Sequence, residues 1–131
     1  MNSFTLKLIL GLMLTTPLWA DFIAVGNNAG RVVHINEQSG ATQIIGIENF
    51  FIESLTRDYN TNIFYTATGA IAPSERRLFT LDPTNGNVTP LVSLSMQNLS
   101  IEALAASPTN GLLYATNNLG TDLYTIDPRS G

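Results

Sequence analysis

The side chains that could do chemistry in this 131-residue sequence are few: it has ten acidic residues, one histidine and no cysteine. Two of the acids, Glu53 and Glu102, occupy matching places in the similar runs Ile-Glu-Ser-Leu and Ile-Glu-Ala-Leu. A pair of carboxylates can contribute to a site for a hard cation such as calcium or act as general acid and base. A solvated or hydrogen-bonded structural role is the alternative. The sequence assigns no catalytic residue, and it leaves metal binding open.

The other reactive side chains have simpler explanations. His34 is the only histidine, which excludes a His–His metal pair, and its place beside Ile35 favours a half-buried structural role. The lack of cysteine excludes disulfides and thiolate metal sites. Glu75, Arg76 and Arg77 form the most distinctive polar patch, which we interpret as a partner-binding loop or as an ordinary solvated loop. No pattern indicates a cofactor.

A repeated turn sequence explains two further acids. Its glycines, Gly40, Gly86 and Gly131, lie 46 and 45 residues apart, and each ends a similar nine-residue run. Asp82 and Asp127 recur within these runs, where an aspartate can cap its own turn and the glycine can take a left-handed backbone. We therefore interpret both aspartates as turn-formers. The three runs are Val-Val-His-Ile-Asn-Glu-Gln-Ser-Gly, Leu-Phe-Thr-Leu-Asp-Pro-Thr-Asn-Gly and Leu-Tyr-Thr-Ile-Asp-Pro-Arg-Ser-Gly.

Each repeat is predicted to contain four short strands, A to D, because short apolar and β-branched runs alternate with turn residues and no stretch keeps a helical period. Tyr65, Tyr114, Phe79 and Tyr124 recur at matching positions and are predicted to pack between repeats. The predicted ranges are 51–56 and 101–106 for strand A, 63–68 and 112–116 for B, 78–81 and 123–126 for C, and 42–47 and 87–94 for D. Residues 22–27 are aligned with 63–68 as the first strand B.

The run Gly-Leu-Leu-Tyr-Ala-Thr, followed by Leu-Tyr-Thr-Ile-Asp-Pro-Arg-Ser-Gly, resembles the β-propeller repeats of bacterial extracytoplasmic proteins, relatives of the YVTN and PQQ-like propellers. The resemblance extends over residues 22–131. It implies an all-β fold of four-stranded antiparallel blades of about 45 residues, arranged as a partial, open β-propeller. It implies little about activity, because propellers have many functions. The only tryptophan, Trp19, lies in the leader, so a quinone cofactor is not expected.

The first twenty residues have the parts of a cleavable signal: Lys7, an apolar run at 8–14, and Ala20 at the expected cleavage position. We expect a signal helix at 1–20, with an uncleaved anchor as the alternative, and about 2.5 blades at 21–47, 48–94 and 95–131. The mature protein is expected to be periplasmic or extracellular. Incomplete blades at both ends indicate a piece of a longer protein, or self-association that completes the ring. We do not expect residues 21–131 to be a stable monomer.

The net charge of −4 and the absence of lysine after the leader disfavour nucleic acid and anionic membrane as partners. The sequence therefore favours a non-enzymatic exported propeller module or fragment that binds a protein or glycan through its blade loops. The alternative is a fragment of a propeller enzyme, a lyase or hydrolase, with a channel site around Glu53 and Glu102.

Overall fold

The computed structural model describes residues 22–26, 30–68, 77–94, 100–118, 120 and 122–131. These residues form ten β-strands and no helix, which confirms the all-β prediction for this part of the chain. The predicted signal helix at 1–20 lies outside the described residues. The strands are β1 (Phe22–Gly26), β2 (Arg31–Ile35), β3 (Thr42–Ile47), β4 (Ile52–Asp58), β5 (Ile63–Thr68), β6 (Arg77–Leu81), β7 (Val88–Ser93), β8 (Ile101–Ala106), β9 (Leu113–Asn117) and β10 (Leu123–Ile126).

The strands form three open antiparallel sheets, with the orders β1-β2-β3, β4-β5-β6-β7 and β10-β9-β8. We call them the first, middle and third sheets. The middle sheet has the four strands predicted for one repeat, in the order A to D. The first sheet holds strands B, C and D, and the third holds A, B and C. Over the described ranges, no helix is long and apolar enough to cross a membrane.

The strand pairing corrects the alignment of the first repeat. Val32, Leu78 and Leu123 each begin the nine-residue run of their repeat. They pair across strands with Val25, Ala67 and Thr116, which are therefore equivalent positions. Phe22 is therefore equivalent to Phe64, and the alignment of Phe22 with Ile63 is wrong by one residue. The error matters because a shift of one residue in a strand exchanges the two faces of the sheet.

Two apolar interfaces hold the sheets face to face. Between the first and middle sheets the buried residues are Val32, Ile52 and Leu81. Between the middle and third sheets they are Tyr65, Ala67, Leu78, Ile101, Leu113, Ala115 and Ile126. Each large aliphatic side chain that is fully buried stabilises the fold by about 2 kcal/mol. The middle sheet is thus covered on both faces.

The recurring aromatic residues meet the packing prediction at three of four positions. Tyr65 and Phe79 are buried, and Phe79 stacks on Phe50 with ring centroids 5.0 Å apart. Tyr124 packs partly buried against the core between the middle and third sheets. Tyr114 lies instead on the outer face of the third sheet, opposite Ala105, so the prediction does not hold there. The reason is that no other described strand covers this face.

Candidate functional site

The edge strands of neighbouring sheets lie beside one another. Strand β4 is an edge of the middle sheet, β8 is an edge of the third, and the two are in contact. The backbone N–H of Ala106 donates to the Thr56 hydroxyl at 3.0 Å, and the Asn60 side-chain amide donates to the Pro108 carbonyl at 2.8 Å. Strand β1, an edge of the first sheet, also contacts β4. We call this row of β1, β4 and β8 the inner edge.

Glu53 and Glu102 are placed on the inner edge by matching β-bulges. The register slips between Ile52 and Ser54 on β4, and between Ile101 and Ala103 on β8, so each glutamate is the extra residue of its bulge. A bulge re-aims a side chain, and bulges are enriched next to active sites. The structure therefore gives the two glutamates the same unusual backbone setting.

These bulges were not predicted from the sequence, although the sequence contains one signal for them. Ile52 and Leu55 belong to the same interface although they are three residues apart, and Ile101 and Leu104 repeat this spacing. In a regular strand, residues three apart point to opposite faces. An apolar pair at this spacing within a predicted strand therefore indicates a bulge between its members.

The two glutamates differ in their surroundings. Glu102 is exposed, whereas Glu53 is half-buried. The Oε2 atom of Glu53 is buried and has no hydrogen-bond partner within the described part of the chain. A buried carboxylate oxygen without a donor is unfavourable, so a side-chain rotation that brought it to a ligand N–H or O–H would stabilise the complex.

The connections of the sheets divide into two groups. Because the strands alternate in direction, within each sheet the strand ends next to residues 27–30, 48–51, 69–76, 94–100 and 118–122 lie at one end, which we call the loop end. The connections at 36–41, 59–62, 82–87 and 107–112, together with 127–131, share the opposite end, which we call the turn end. The bulges of Glu53 and Glu102, near the starts of β4 and β8, lie at the loop end.

Of the polar patch of the sequence, the structure describes Arg77, which lies at the loop end. Arg77 is the first residue of β6, and its backbone N–H donates to the Thr68 hydroxyl at 3.4 Å. Glu75 and Arg76 lie outside the described residues. The loop end thus brings Arg77 to the same end of the middle sheet as Glu53.

The turn end is closed by internal hydrogen bonds. At Asp82, the Thr84 backbone N–H and hydroxyl donate to Oδ1 at 2.9 and 2.6 Å, and the Asn85 amide donates to Oδ2 at 2.9 Å. The Gly86 N–H donates to the Asp82 carbonyl at 2.9 Å, and Gly86 has the predicted left-handed φ, 73°. Asn62 takes the glycine place of its own turn with a φ of 61°.

Hydrogen bonding lowers the pKa of the three turn aspartates. The Thr61 hydroxyl lowers the pKa of Asp58, and the Thr84 hydroxyl lowers that of Asp82. The Arg129 guanidinium lowers the pKa of Asp127, with its Nε 2.9 Å from Oδ1. These carboxylates are ionised at neutral pH, and their lone pairs are used inside the turns. The interpretation of Asp82 and Asp127 as turn-formers is confirmed.

The described residues include no group of three or more His, Asp or Glu side chains placed to hold a metal ion. Cation binding by Glu53 and Glu102 therefore stays a hypothesis without a third ligand. His34 is half-buried in β2 opposite Ile23, as the sequence predicts.

Comparison with known proteins supports the fold. No protein-family model matches the chain, and no curated protein matches it. One matching solved structure is the extracellular domain of a protein classed as a hybrid two-component system from B. thetaiotaomicron. The two superpose with a TM-score of 0.51 and 22% sequence identity, over 81% of this chain and 13% of that chain. The chain thus spans about an eighth of that structure, and the likeness shows a shared all-β fold.

Proposed function

We propose that this chain is a non-enzymatic, exported module of the β-propeller type that binds a protein or glycan ligand at its loop end. One observation carries the proposal: the chemically distinctive side chains and the longest connections share one end of the sheets, and hydrogen-bonded turns close the other. In repeat proteins, insertions into individual repeats map to loops on one face, which is often the binding face.

The propeller part of the proposal is supported by the stacking of the sheets. Each sheet packs face to face on the next, and the edge strands β1, β4 and β8 form one row. Blades arranged around the central channel of a propeller have this relationship. The sequence resemblance to propeller repeats points to the same architecture.

Export is supported by two independent features. The first is the signal-like sequence at 1–20. The second is the matching solved structure, which is an extracellular domain. A periplasmic or extracellular location would expose the loop end to ligands outside the cytoplasm.

Charge and hydrogen bonding define the chemistry that the loop end could recognise. Glu53 and Glu102 offer carboxylate acceptors, and Arg77 adds a cation. Such groups bind the hydroxyls of a sugar or the amides and side chains of a peptide. The net charge of −4 disfavours phosphate-rich ligands.

Binding can be tested with two defined probe collections, an array of oligosaccharides and a library of displayed peptides. The purified protein is expected to select ligands from one of them. Affinity measured by calorimetry should fall at least about tenfold, or 1.4 kcal/mol, in Glu53→Gln and Glu102→Gln. The matched control Thr84→Ala changes the turn end and should retain the affinity. Failure to select any ligand, or a loss confined to Thr84→Ala, would contradict the proposal.

A further inference from the structure

The two sheet interfaces are built from equivalent residues. On the middle sheet, Leu78 shares a core with Leu113, Ala115 and Ile126 of the third sheet. In the first sheet, Val32 is the equivalent of Leu78. It shares a core with Leu81 of the middle sheet, and Leu81 is the equivalent of Ile126 in the third. One packing arrangement thus occurs twice in the chain.

One face of the first sheet and one face of the third sheet are covered by no other described strand. The equivalent faces inside the chain are the two that pack together in this arrangement. On the first sheet, the strand pairing makes Phe22, Ala24 and Ile35 the equivalents of Leu113, Ala115 and Ile126. On the third sheet, Leu123 is the equivalent of Leu78. Phe22 is 58% exposed and Leu123 is 69% exposed, although their equivalents Leu113 and Leu78 are buried.

We propose that two copies of this chain associate head to tail, with the outer face of each first sheet packed on the outer face of the other copy's third sheet. Both uncovered faces are then used in both copies, so the contact closes on itself instead of continuing into a filament. The closed assembly holds six of the described sheets, three from each copy; on the propeller fold proposed above, this number lies within the four to eight blades typical of propellers. The proposal rests on the packing of the sheets and not on the ligand of the loop end.

The surface chemistry favours a second copy as the partner. The outer face of the first sheet presents Phe22, Val33, Ile35 and Ile44, which carry no charge, and Ile44 is 48% exposed. Uncovered apolar faces of this kind mark interaction surfaces. Inside the chain, Tyr65 and Leu78 of the middle sheet pack against the third sheet. The outer face of the third sheet offers the same side-chain types at the equivalent positions, Tyr114 and Leu123.

Engineered cysteines give a specific test, because the chain has none of its own. Leu78 and Ala115 share one core, so their counterparts Leu123 and Ala24 should meet between copies. Protein purified after export of the full chain is made as Ala24→Cys and as Leu123→Cys. A short bis-maleimide is expected to join the two variants when they are mixed, and neither variant alone. The matched control is Leu91→Cys, on the outer strand β7 and 46% exposed, which should not be joined to Leu123→Cys.

Sedimentation completes the test without crosslinking. The unmodified protein should sediment at twice the mass of one copy, Leu123→Glu at the mass of one copy, and Leu91→Glu as the dimer. Circular dichroism with an unchanged β-sheet signal would show that each variant is folded. A compact monomer of the unmodified protein, or equal crosslinking of Leu91→Cys and Ala24→Cys to Leu123→Cys, would overturn the proposal.

Discussion

Gly86 lies so close to Gly46 that a Cβ atom on Gly86 would come within 2.6 Å of the Gly46 backbone nitrogen. Gly86 ends the turn between β6 and β7, and Gly46 lies in β3, the outer strand of the first sheet. Gly131 repeats the relationship, since a Cβ there would meet the Ser93 carbonyl of β7. The turns that contain Gly86 and Gly131, in the middle and third sheets, therefore pack against the outer strand of the sheet before.

Replacing Gly86 with alanine is expected to destabilise the fold more than the same change at Gly40 or Gly111. All three glycines have a positive φ, between 67° and 73°, so each substitution incurs about 1 kcal/mol of backbone strain. Only Gly86→Ala also drives a Cβ into the backbone of another sheet, because Gly40 and Gly111 have no heavy atom within 4 Å of that position. Denaturant unfolding of the three variants measures the difference. Equal losses of unfolding free energy in the three variants would show that the turn does not pack against β3.

Acid should weaken the turn end. The folded-state pKa of Asp58, Asp82 and Asp127 lies below the ordinary value of 3.8. The stability contributed by these aspartates is therefore fully present well above pH 3.8, and it is lost as the pH falls through their folded-state values. The free energy of unfolding should fall as the pH is lowered below the ordinary value of 3.8 and through the folded-state values.

Asp82→Asn provides the matched control for this pH dependence. Asn36 shows that an asparagine can serve the same turn, since the Ser39 N–H donates to its Oδ1 at 2.9 Å. The variant should remain folded and should lose less stability on acidification than the unmodified protein. An identical pH profile for the two proteins would contradict the assigned role of the Asp82 carboxylate.

The strands and turns could be predicted from the sequence because their signals are local. Apolar runs predict β5 and β10. The repeated glycine predicts a turn, as seen at Gly86. The bulges at Glu53 and Glu102 are harder to predict, because register depends on the partner strand as well as on the bulged one. The one-residue error at Phe22 has the same cause. The close contact between Gly86 and Gly46 joins residues of different sheets, and no local sequence pattern predicts it.

Thr56→Val should loosen the contact between β4 and β8. The Thr56 hydroxyl accepts the Ala106 N–H at 3.0 Å, and valine keeps the side-chain shape but offers no acceptor. Leaving a partly buried N–H unpaired should lower the free energy of unfolding by about 1 kcal/mol. Thr89→Val, at an exposed position of β7, is the control and should change stability by less than about 0.5 kcal/mol. A control as damaging as Thr56→Val would argue against this link.

The leader should be removed after Ala20 during export. The expectation follows from Lys7, the apolar run at 8–14 and the small residue at the cleavage position. N-terminal sequencing of exported protein should begin at Asp21. Leu12→Arg interrupts the apolar run and should leave the protein in the cytoplasm. Exported material that begins at Met1 would refute cleavage.

The face-to-face stacking of the three sheets can be measured directly by methyl NOEs in protein labelled at isoleucine, leucine and valine. NOEs are expected from Leu78 to at least one of Ile101, Leu113 and Ile126, because these side chains share a core. NOEs are also expected from Val32 to Ile52 or Leu81. Both sets observed in one folded sample would establish the stacking. Regular strand signals without NOEs between the sheets would contradict it.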